Sequence, residues 1–253
     1  MDTNQTPGNP WFTATVGLLG IIAGYVIANG VNGFSFSLPT AQQNPPAAND
    51  GVTPPPAGRF ASALDAFTAY ADDLGLDEGD FKSCMDAGTF IPEIQKDLAD
   101  GSAAGIDGTP GFWLVGTNGQ SKKISGAVPF ETFKAAIEDM LAGKTVSDPA
   151  AGTPAATDDD PSIGSDDATV TLIEFTDYQC PFCARHFTQT FGQIKSNYID
   201  TGKVKYVSRD FPLGFHQHAQ KSALASECAD DQGKFWEMHD VLFQKQGEWS
   251  PLP

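Results

Sequence analysis

The spacing of apolar positions marks two stretches of the chain as folded. In residues 59–144, apolar side chains recur at helical spacing three times before a turn, two short strands and a final helix. The predicted helices cover residues 61–74, 78–86, 91–104 and the segment that begins at Pro129. The predicted strands cover residues 112–115 and 123–125. This stretch therefore supplies mostly helix and a single β-hairpin.

Residues 169–253 begin with a strand instead. The run TVTLIEF at 169–175 is β-branched and apolar, as is typical of a strand that is buried on both faces. The next predicted element is a helix with an apolar side formed by Phe187, Phe191, Ile194 and Tyr198. The stretch continues with a strand at 204–207 and helices at 216–229 and 234–245. We expect Phe235 and Trp236 of the last helix in the core.

Neither stretch closes a β-sheet alone, because an isolated pair of strands is only marginally stable in water. Together they provide four strands and helices to cover them, so we predict one α/β domain assembled from both. The composition agrees with a folded core, since 40% of the 253 residues are hydrophobic and 18 are Phe. A wholly disordered chain is thereby excluded.

The formal net charge of −17 argues against binding to nucleic-acid phosphates or to an anionic membrane surface. The acidic residues are unevenly distributed along the chain. Residues 145–168 contain six Asp and no basic residue, so we predict an acidic flexible linker there. Residues 35–58 are rich in Pro, Asn and Ala and are predicted to be a second linker.

Before that linker, residues 11–34 carry no charged side chain over 24 positions, which is long enough to cross a hydrocarbon core. We predict a single transmembrane anchor here, after a polar tail at residues 1–10. The alternative is a cleaved signal peptide, but the tail lacks Lys and Arg and no clear cleavage site follows. Gly20 and Gly24 form a GxxxG pattern that would allow two anchors to pair.

The CPFC motif at residues 180–183 stands where a predicted strand is followed by a predicted helix. Free amides at the start of a helix stabilise a thiolate, which selects Cys180 as the nucleophile. Cys183, one helical turn later, is placed to resolve a mixed disulfide. The alternatives are a zinc half-site and two core thiols. A zinc site requires a second pair of ligands, whereas Cys84 and Cys228 stand singly.

Five segments of the chain resemble the DsbA-like branch of the thioredoxin-superfamily thiol–disulfide oxidoreductases. They are LIEFTDYQCPFCARHF and ECADDQGKFWEMHDVLF in residues 169–253, and FKSCMDAG, AAGIDGTPGFWLVG and ISGAVPFETFKAAI in residues 59–144. The resemblance implies a thioredoxin-like fold with a helical insert. In the family, however, the half with the CxxC motif precedes the half with the proline loop. The halves are reversed here, so the chain looks circularly permuted.

We expect the permuted halves to close within one chain, because the flexible bridge between them keeps their effective concentration high. The alternatives are an exchange of halves between two chains and a segment order that is not the native one.

The resemblance also implies roles for residues outside the motif. Glu174 would relay protons beneath the resolving cysteine, with a pKa raised by burial, unless it is an edge carboxylate that faces water. Thr109 and Pro110 match the family's cis-Pro loop, whose backbone pairs with an extended substrate; an ordinary trans turn is the alternative. Cys84 and Cys228 match a second disulfide present in part of the family, with two reduced core thiols as the alternative.

Pro181 and Phe182 form the dipeptide between the two cysteines. Pro181 suits a first helical turn, and the ring of Phe182 offers neither a hydrogen bond nor a charge to sulfur. We therefore expect a less strongly oxidising site than one with a basic residue at this position. His216 and His218 are expected at the start of a surface helix rather than at a metal.

The predicted function is that of a membrane-anchored thiol–disulfide oxidoreductase whose catalytic domain lies outside the cytoplasm. Its substrates would be cysteine-containing polypeptides, and a redox partner protein would reset the cysteine pair. No metal or organic cofactor is expected. The alternatives are a metal-binding envelope module that uses the CPFC thiols and a redox-inactive thioredoxin-like scaffold.

Overall fold

The computed structural model describes residues 58–144 and 153–253, which all belong to the unit Thr53–Pro253. The predicted tail, the anchor at 11–34 with its glycine pattern, and the linker at 35–58 apart from its last residue lie outside the described residues. Within the part of the chain that is described, no helix combines the length and the apolar character that a membrane crossing requires.

Three helices open the first described segment. They are α1 (Ala63–Asp73), α2 (Glu78–Ala87) and α3 (Ile91–Ala103). A hairpin of β1 (Gly111–Gly116) and β2 (Ser121–Ser125) follows, and then α4 (Phe130–Leu141). Capping explains two of these boundaries, because Ser62 Oγ accepts from the amide of Asp65 at 3.1 Å, and Gly88 ends α2 with a φ of 63°.

The second described segment contains three strands and the remaining helices. The strands are β3 (Ser162–Ile163), β4 (Val170–Thr176) and β5 (Val204–Asp210). A continuous helical stretch joins β4 to β5 through α5 (Pro181–His186), a π-helical turn (Phe187–Phe191), α6 (Gly192–Ile194) and a second π-helical turn (Lys195–Ile199). The last helices are α7 (Ala219–Asp230), α8 (Phe235–Gln244) and α9 (Gln246–Trp249).

The strands of both segments form one five-stranded sheet in the order β2–β1–β4–β5–β3. Strands β4 and β5 run parallel, and the other neighbouring pairs are antiparallel. The pairing of β1 with β4 places Phe112 opposite Glu174 and joins the two segments. The sheet is thus assembled from both stretches, as predicted, but it has a fifth strand because β3 adds to the edge of β5.

Both faces of the sheet are covered. On one face, Phe112 and Tyr206 lie in a core with side chains of α4 and of the helical stretch after β4. On the other face, Trp113 and Phe175 pack with the end of α3 and the chain beyond it. This arrangement explains why apolar residues point to both faces of β4, whose residues are all buried apart from Thr171.

The other helices form a layer with its own core, which contains Phe67 of α1, Phe81 of α2 and Trp249 of α9. A disulfide between Cys84 of α2 and Cys228 of α7 links the two segments across this layer, with Cα atoms 5.8 Å apart. The disulfide that the resemblance implied is therefore confirmed.

Arg209 of β5 is fully buried among carboxylates. Its guanidinium pairs with Asp97 and Asp100 of α3, the second at 3.0 Å, and with Asp160 at 3.0 Å. It also donates to the carbonyl of Ala156 at 3.0 Å. A buried guanidinium needs such anionic partners because water is absent around it.

This network differs from the prediction of a flexible acidic linker over residues 145–168. In the described part of that stretch, residues 153–168, Asp160 is an ion-pair partner of a buried side chain and Ser162–Ile163 form β3. Within this stretch, Asp158 and Asp160 pair with Arg209, and Asp166 pairs with Lys205 at 2.8 Å.

We predict that Arg209→Ala lowers the free energy of unfolding by about 3–5 kcal/mol, because it leaves buried carboxylates without their cation. Arg59→Ala is the matched control, since Arg59 pairs with Asp73 at the surface and its loss should cost less than about 1 kcal/mol. Urea unfolding of both variants measures the difference. Equal effects of the two substitutions would contradict the buried network.

We also predict that the double variant Cys84→Ala, Cys228→Ala loses about 2–4 kcal/mol of unfolding free energy, because the disulfide closes a long loop in the unfolded chain. A reductant should destabilise the unmodified chain by a similar amount and leave the double variant unaffected. Thermal unfolding with and without reductant provides the measurement. A double variant as stable as the unmodified chain would show that the bond contributes nothing.

Candidate active site

Cys180 lies at the junction between β4 and α5. It has an extended backbone and occupies the N-cap position of α5, as the sequence predicts. Its amide donates to the carbonyl of Asp177 at 3.0 Å, and its carbonyl accepts from the amide of Ala184 at 3.1 Å. Gln246 of α9 donates to the same carbonyl at 3.1 Å, so the helical layer helps to hold the motif in place.

Asp177 fixes the loop that leads into the motif. Its buried carboxylate accepts from the amides of Gln179 and Leu213 at 2.8 and 3.0 Å. Nδ1 of His216 lies 2.7 Å from the same carboxylate. Sequence reasoning missed Asp177, because two of its partners follow β5 and no local pattern connects them to the motif.

Thr109 and Pro110 directly precede β1, and the peptide bond between them is cis. Their position confirms the turn that the resemblance implied. Sγ of Cys180 lies 3.5 Å from the carbonyl oxygen of Thr109, to which the thiol donates when it is protonated. The structure therefore brings together residues that are 71 positions apart and belong to different segments.

The two sulfurs of the motif have very different acidities. Interactions with Cys183 and with the side chain of Thr109, and the backbone amides of Cys183 and Phe182, lower the pKa of Cys180 to about 5, although burial acts against ionisation. Burial raises the pKa of Cys183 well above its ordinary value, and the neighbouring Cys180 and Glu174 raise it further. At neutral pH, Cys180 is therefore the thiolate and Cys183 the protonated thiol.

Glu174 of β4 is enclosed in the core rather than facing water. Burial raises its pKa to about 7, while interactions with Tyr206 and Thr176 lower it. Thr176 also lowers the pKa of Cys183, so it adjoins both groups. A carboxyl group with a pKa near neutrality can gain and lose a proton at physiological pH.

Phe182 lies between the two cysteines and is exposed to solvent, with a relative accessibility of 53% for the residue. The guanidinium of Arg185 lies 5.0 Å from the centre of this ring and donates to the carbonyl of Ala127 at 3.2 Å. Arg185 lines a groove of about 450 Å³ together with residues 127–130. A basic side chain is thus near the dipeptide although Phe182 itself is apolar, and Pro181 is the first residue of α5 as predicted.

The described residues that could share a metal ion are carboxylates. The groups of three are Glu93, Asp97 and Asp160, and Glu93, Asp158 and Asp159. Neither group contains a cysteine or a histidine, and Arg209 already pairs with Asp97 and Asp160. The thiols of the motif therefore lie outside every group of potential ligands found among residues 58–144 and 153–253.

The two histidines near the site have separate partners. His216 is tied to Asp177, and Nε2 of His218 lies 2.7 Å from the carbonyl oxygen of Leu252. The predicted surface position is wrong for His218, which is buried because it precedes α7 and packs beneath the C-terminal residues.

Comparison with known proteins agrees with this geometry. A family model described as thioredoxin matches residues 156–252, which contain β4, the CxxC motif and α5. The fold and site thus define a thioredoxin-like domain of mixed α/β structure.

Several relatives carry names that refer to disulfide chemistry. Disulfide bond formation protein D from Bacillus subtilis is 40% identical over 89 residues, which are 34% of this chain and 39% of that protein. A putative protein-disulfide oxidoreductase from Rickettsia bellii is 33% identical over 93 residues, 37% of this chain and 35% of the relative. Over about a third of the chain, these relatives confirm the resemblance to DsbA-like thiol–disulfide oxidoreductases.

Another relative has a different name, the Na(+)/H(+) antiporter NhaA 1 from Salinispora arenicola. It is 40% identical over 99 residues, which are 39% of this chain and 15% of the antiporter. The chain thus spans less than two fifths of the length of the relatives described here.

Two solved structures are similar over part of the chain. The crystal structure of oxidised BdbD from Bacillus subtilis is 39% identical, covers 34% of this chain and 48% of that chain, and has a TM-score of 0.32. The crystal structure of Wolbachia pipientis alpha-DsbA1 is 30% identical, covers 37% of this chain and 46% of that chain, and has a TM-score of 0.34.

We predict that Cys180 in the reduced full chain is alkylated with an apparent pKa of about 5. Since the thiolate is the reactive form, labelling should stay fast at neutral pH and fall only as the pH drops through this value. Cys183→Ala removes the largest influence that lowers the pKa and should move the midpoint upward. Iodoacetamide labelling against pH measures the midpoint, with Cys180→Ser as the blank. A midpoint near the ordinary value of about 8.5 in the unmodified chain would contradict the activation.

Proposed function

We propose that the chain is a membrane-anchored thiol–disulfide oxidoreductase that exchanges disulfides with cysteine-containing polypeptides outside the cytoplasm. The observation that carries this proposal is the 3.5 Å contact between Sγ of Cys180 and the carbonyl oxygen of Thr109. It places an activated sulfur beside a backbone segment to which an extended substrate would pair. A redox-inactive scaffold would need these two groups to lie apart.

Cys180, Cys183 and Glu174 have different roles in the proposed disulfide exchange. In the reductive direction, the Cys180 thiolate attacks one sulfur of a substrate disulfide, and the other substrate sulfur leaves as a thiolate. Cys183 then gives its proton to Glu174 and attacks Sγ of Cys180. The Cys180–Cys183 disulfide forms, the bond to the substrate breaks, and two electrons have passed from the enzyme to the substrate. The oxidative direction runs through the same bonds in reverse.

A redox partner protein then returns the cysteine pair to its starting state. Neither direction requires a metal or an organic cofactor, because sulfur carries both electrons throughout. Anaerobic metal titration of the reduced chain tests the metal-binding alternative, which predicts stoichiometric binding that is lost in Cys180→Ser.

The proposal includes a circularly permuted order of the family's two halves, closed within one chain. Its support is that the cis-Pro turn and β1 come from residues 59–144, whereas the CxxC motif and β4 come from residues 169–253. The two strands nevertheless pair along their length, from Gly111 opposite Phe175 to Gly116 opposite Val170.

The proposed location rests on two features. The Cys84–Cys228 disulfide favours an oxidising compartment, since such bonds are rare where glutathione keeps thiols reduced. The uncharged segment at residues 11–34 supplies the anchor, and Gly20 and Gly24 within it would allow two anchors to pair.

We predict that Cys180→Ser abolishes thiol–disulfide exchange with a reduced and unfolded polypeptide or with insulin, because it removes the nucleophile. Cys183→Ser should instead accumulate a mixed disulfide on Cys180, because the resolving thiol is missing. Gel mobility of the trapped species and an insulin-reduction assay provide the measurements, with the Cys84→Ala, Cys228→Ala variant as an active control. Exchange that persists in Cys180→Ser would rule out the proposed chemistry.

A further inference from the structure

Glu174 and Tyr206 form a buried polar pair between neighbouring strands. Strands β4 and β5 are parallel, with Glu174 opposite Ser208 and Leu172 opposite Tyr206. Side chains alternate along a strand, so Tyr206 and Glu174 lie on the same face of the sheet. The pair Ile173–Val207 lies between their two positions. The Tyr206 hydroxyl donates a hydrogen bond to the Glu174 carboxylate, and both side chains are almost completely enclosed.

We propose that Tyr206 is the positioning residue of the proton relay, and that its hydroxyl holds one oxygen of Glu174 so that the carboxyl group can exchange a proton with Cys183. The inference rests on the proposed thiol–disulfide exchange, because only that reaction gives Glu174 a proton to relay. In this role Tyr206 takes no part in the bond changes at sulfur and acts through Glu174.

The surroundings of the pair show why a phenol matters here. Burial raises the pKa of Glu174 to about 7, Tyr206 and Thr176 lower it, and no Lys or Arg of the described residues contributes. The hydroxyl is therefore the leading group that favours the carboxylate over the neutral acid. Other titratable groups surround the pair. Cys183, its neighbour Cys180, and Tyr178 of the loop before the motif interact electrostatically within this cluster. The ring of Phe112 separates His186 from the pair, and the ring of Phe191 separates His239 from it.

A neutral donor suits a relay better than a cation would. Burial raises the pKa of Tyr206, and the nearby Glu174 raises it further, so the hydroxyl keeps its proton and remains a donor at physiological pH. A lysine in its place would favour the carboxylate strongly by charge. The phenol stabilises the carboxylate enough to keep its pKa near neutrality, where the proton of Cys183 can move on and off.

The test follows the two steps of the reaction of the reduced full chain with dithiobisnitrobenzoate, which releases a coloured thiolate at each step. Attack by Cys180 releases the first thiolate, and attack by Cys183 on the mixed disulfide releases the second. In the unmodified chain, we expect the rate of the second release to rise with pH with a midpoint of about 7, as Glu174 becomes the carboxylate that accepts the proton.

Tyr206→Phe removes the donor and keeps the ring. A carboxylate without it is harder to form, so we expect the midpoint of the second release to move upward by about one pH unit, with a roughly tenfold slower rate below the midpoint. The first release should keep its rate. A midpoint equal to that of the unmodified chain would overturn the inference.

Two controls separate positioning from a general structural effect. Tyr198→Phe is the matched control, since the Tyr198 hydroxyl donates to Glu138 at 2.9 Å outside the site, and its midpoint should not move. In a Glu174→Gln background, Tyr206→Phe should cause no further shift. An additional shift there would contradict the proposed route through Glu174.

A second variant keeps the test decisive if Tyr206→Phe folds poorly. Fluorotyrosine at position 206 keeps the hydroxyl and makes it a stronger donor, so the midpoint should move downward; an unchanged midpoint counts against the inference. The same assay tests the proposed function separately. A chain that releases no thiolate in the first step has no disulfide exchange, which contradicts the proposed function and the inference about Tyr206 together.

Discussion

The antiparallel pairing of β1 with β4 is the interaction on which the site depends. Strand β1 begins immediately after the Thr109–Pro110 turn, and β4 ends just before the loop that leads to Cys180. With Gly111 opposite Phe175, the sheet register brings the turn before β1 and the sulfur after β4 to the same end of these two strands. A shift of register by one residue would turn every side chain of β1 to the opposite face and break this match.

The position of the motif at this end of the strands explains why the pKa values of its two cysteines differ so strongly. Cys180 caps a helix and interacts with backbone amides, whereas Cys183 lies one turn inside, fully buried beside Glu174. The charge that the first sulfur carries makes a second thiolate nearby unfavourable. In the proposed exchange, a buried carboxyl group with a pKa near neutrality is the group that would accept the proton of Cys183.

Much of this arrangement could be predicted from the sequence, because apolar runs and CxxC spacing are local signals and the cis-Pro turn and second disulfide followed from a resemblance. Other parts could not. Strand β3 has two residues and carries no periodic pattern. Arg209 pairs with Asp97 and Asp160, which are 112 and 49 positions away in the sequence. Tyr206 donates to Glu174, which is 32 positions away. Only the packed structure identifies these partners.

The most direct test is a crystal structure of the full chain carrying Cys183→Ser, trapped as a mixed disulfide with a cysteine-containing peptide. We predict that the peptide lies extended along the turn, with its sulfur bonded to Cys180 and its main chain hydrogen-bonded to the backbone of Thr109. A peptide that leaves Cys180 without touching Thr109 or Pro110, or a chain in which β1 and β4 are not paired, would contradict the account.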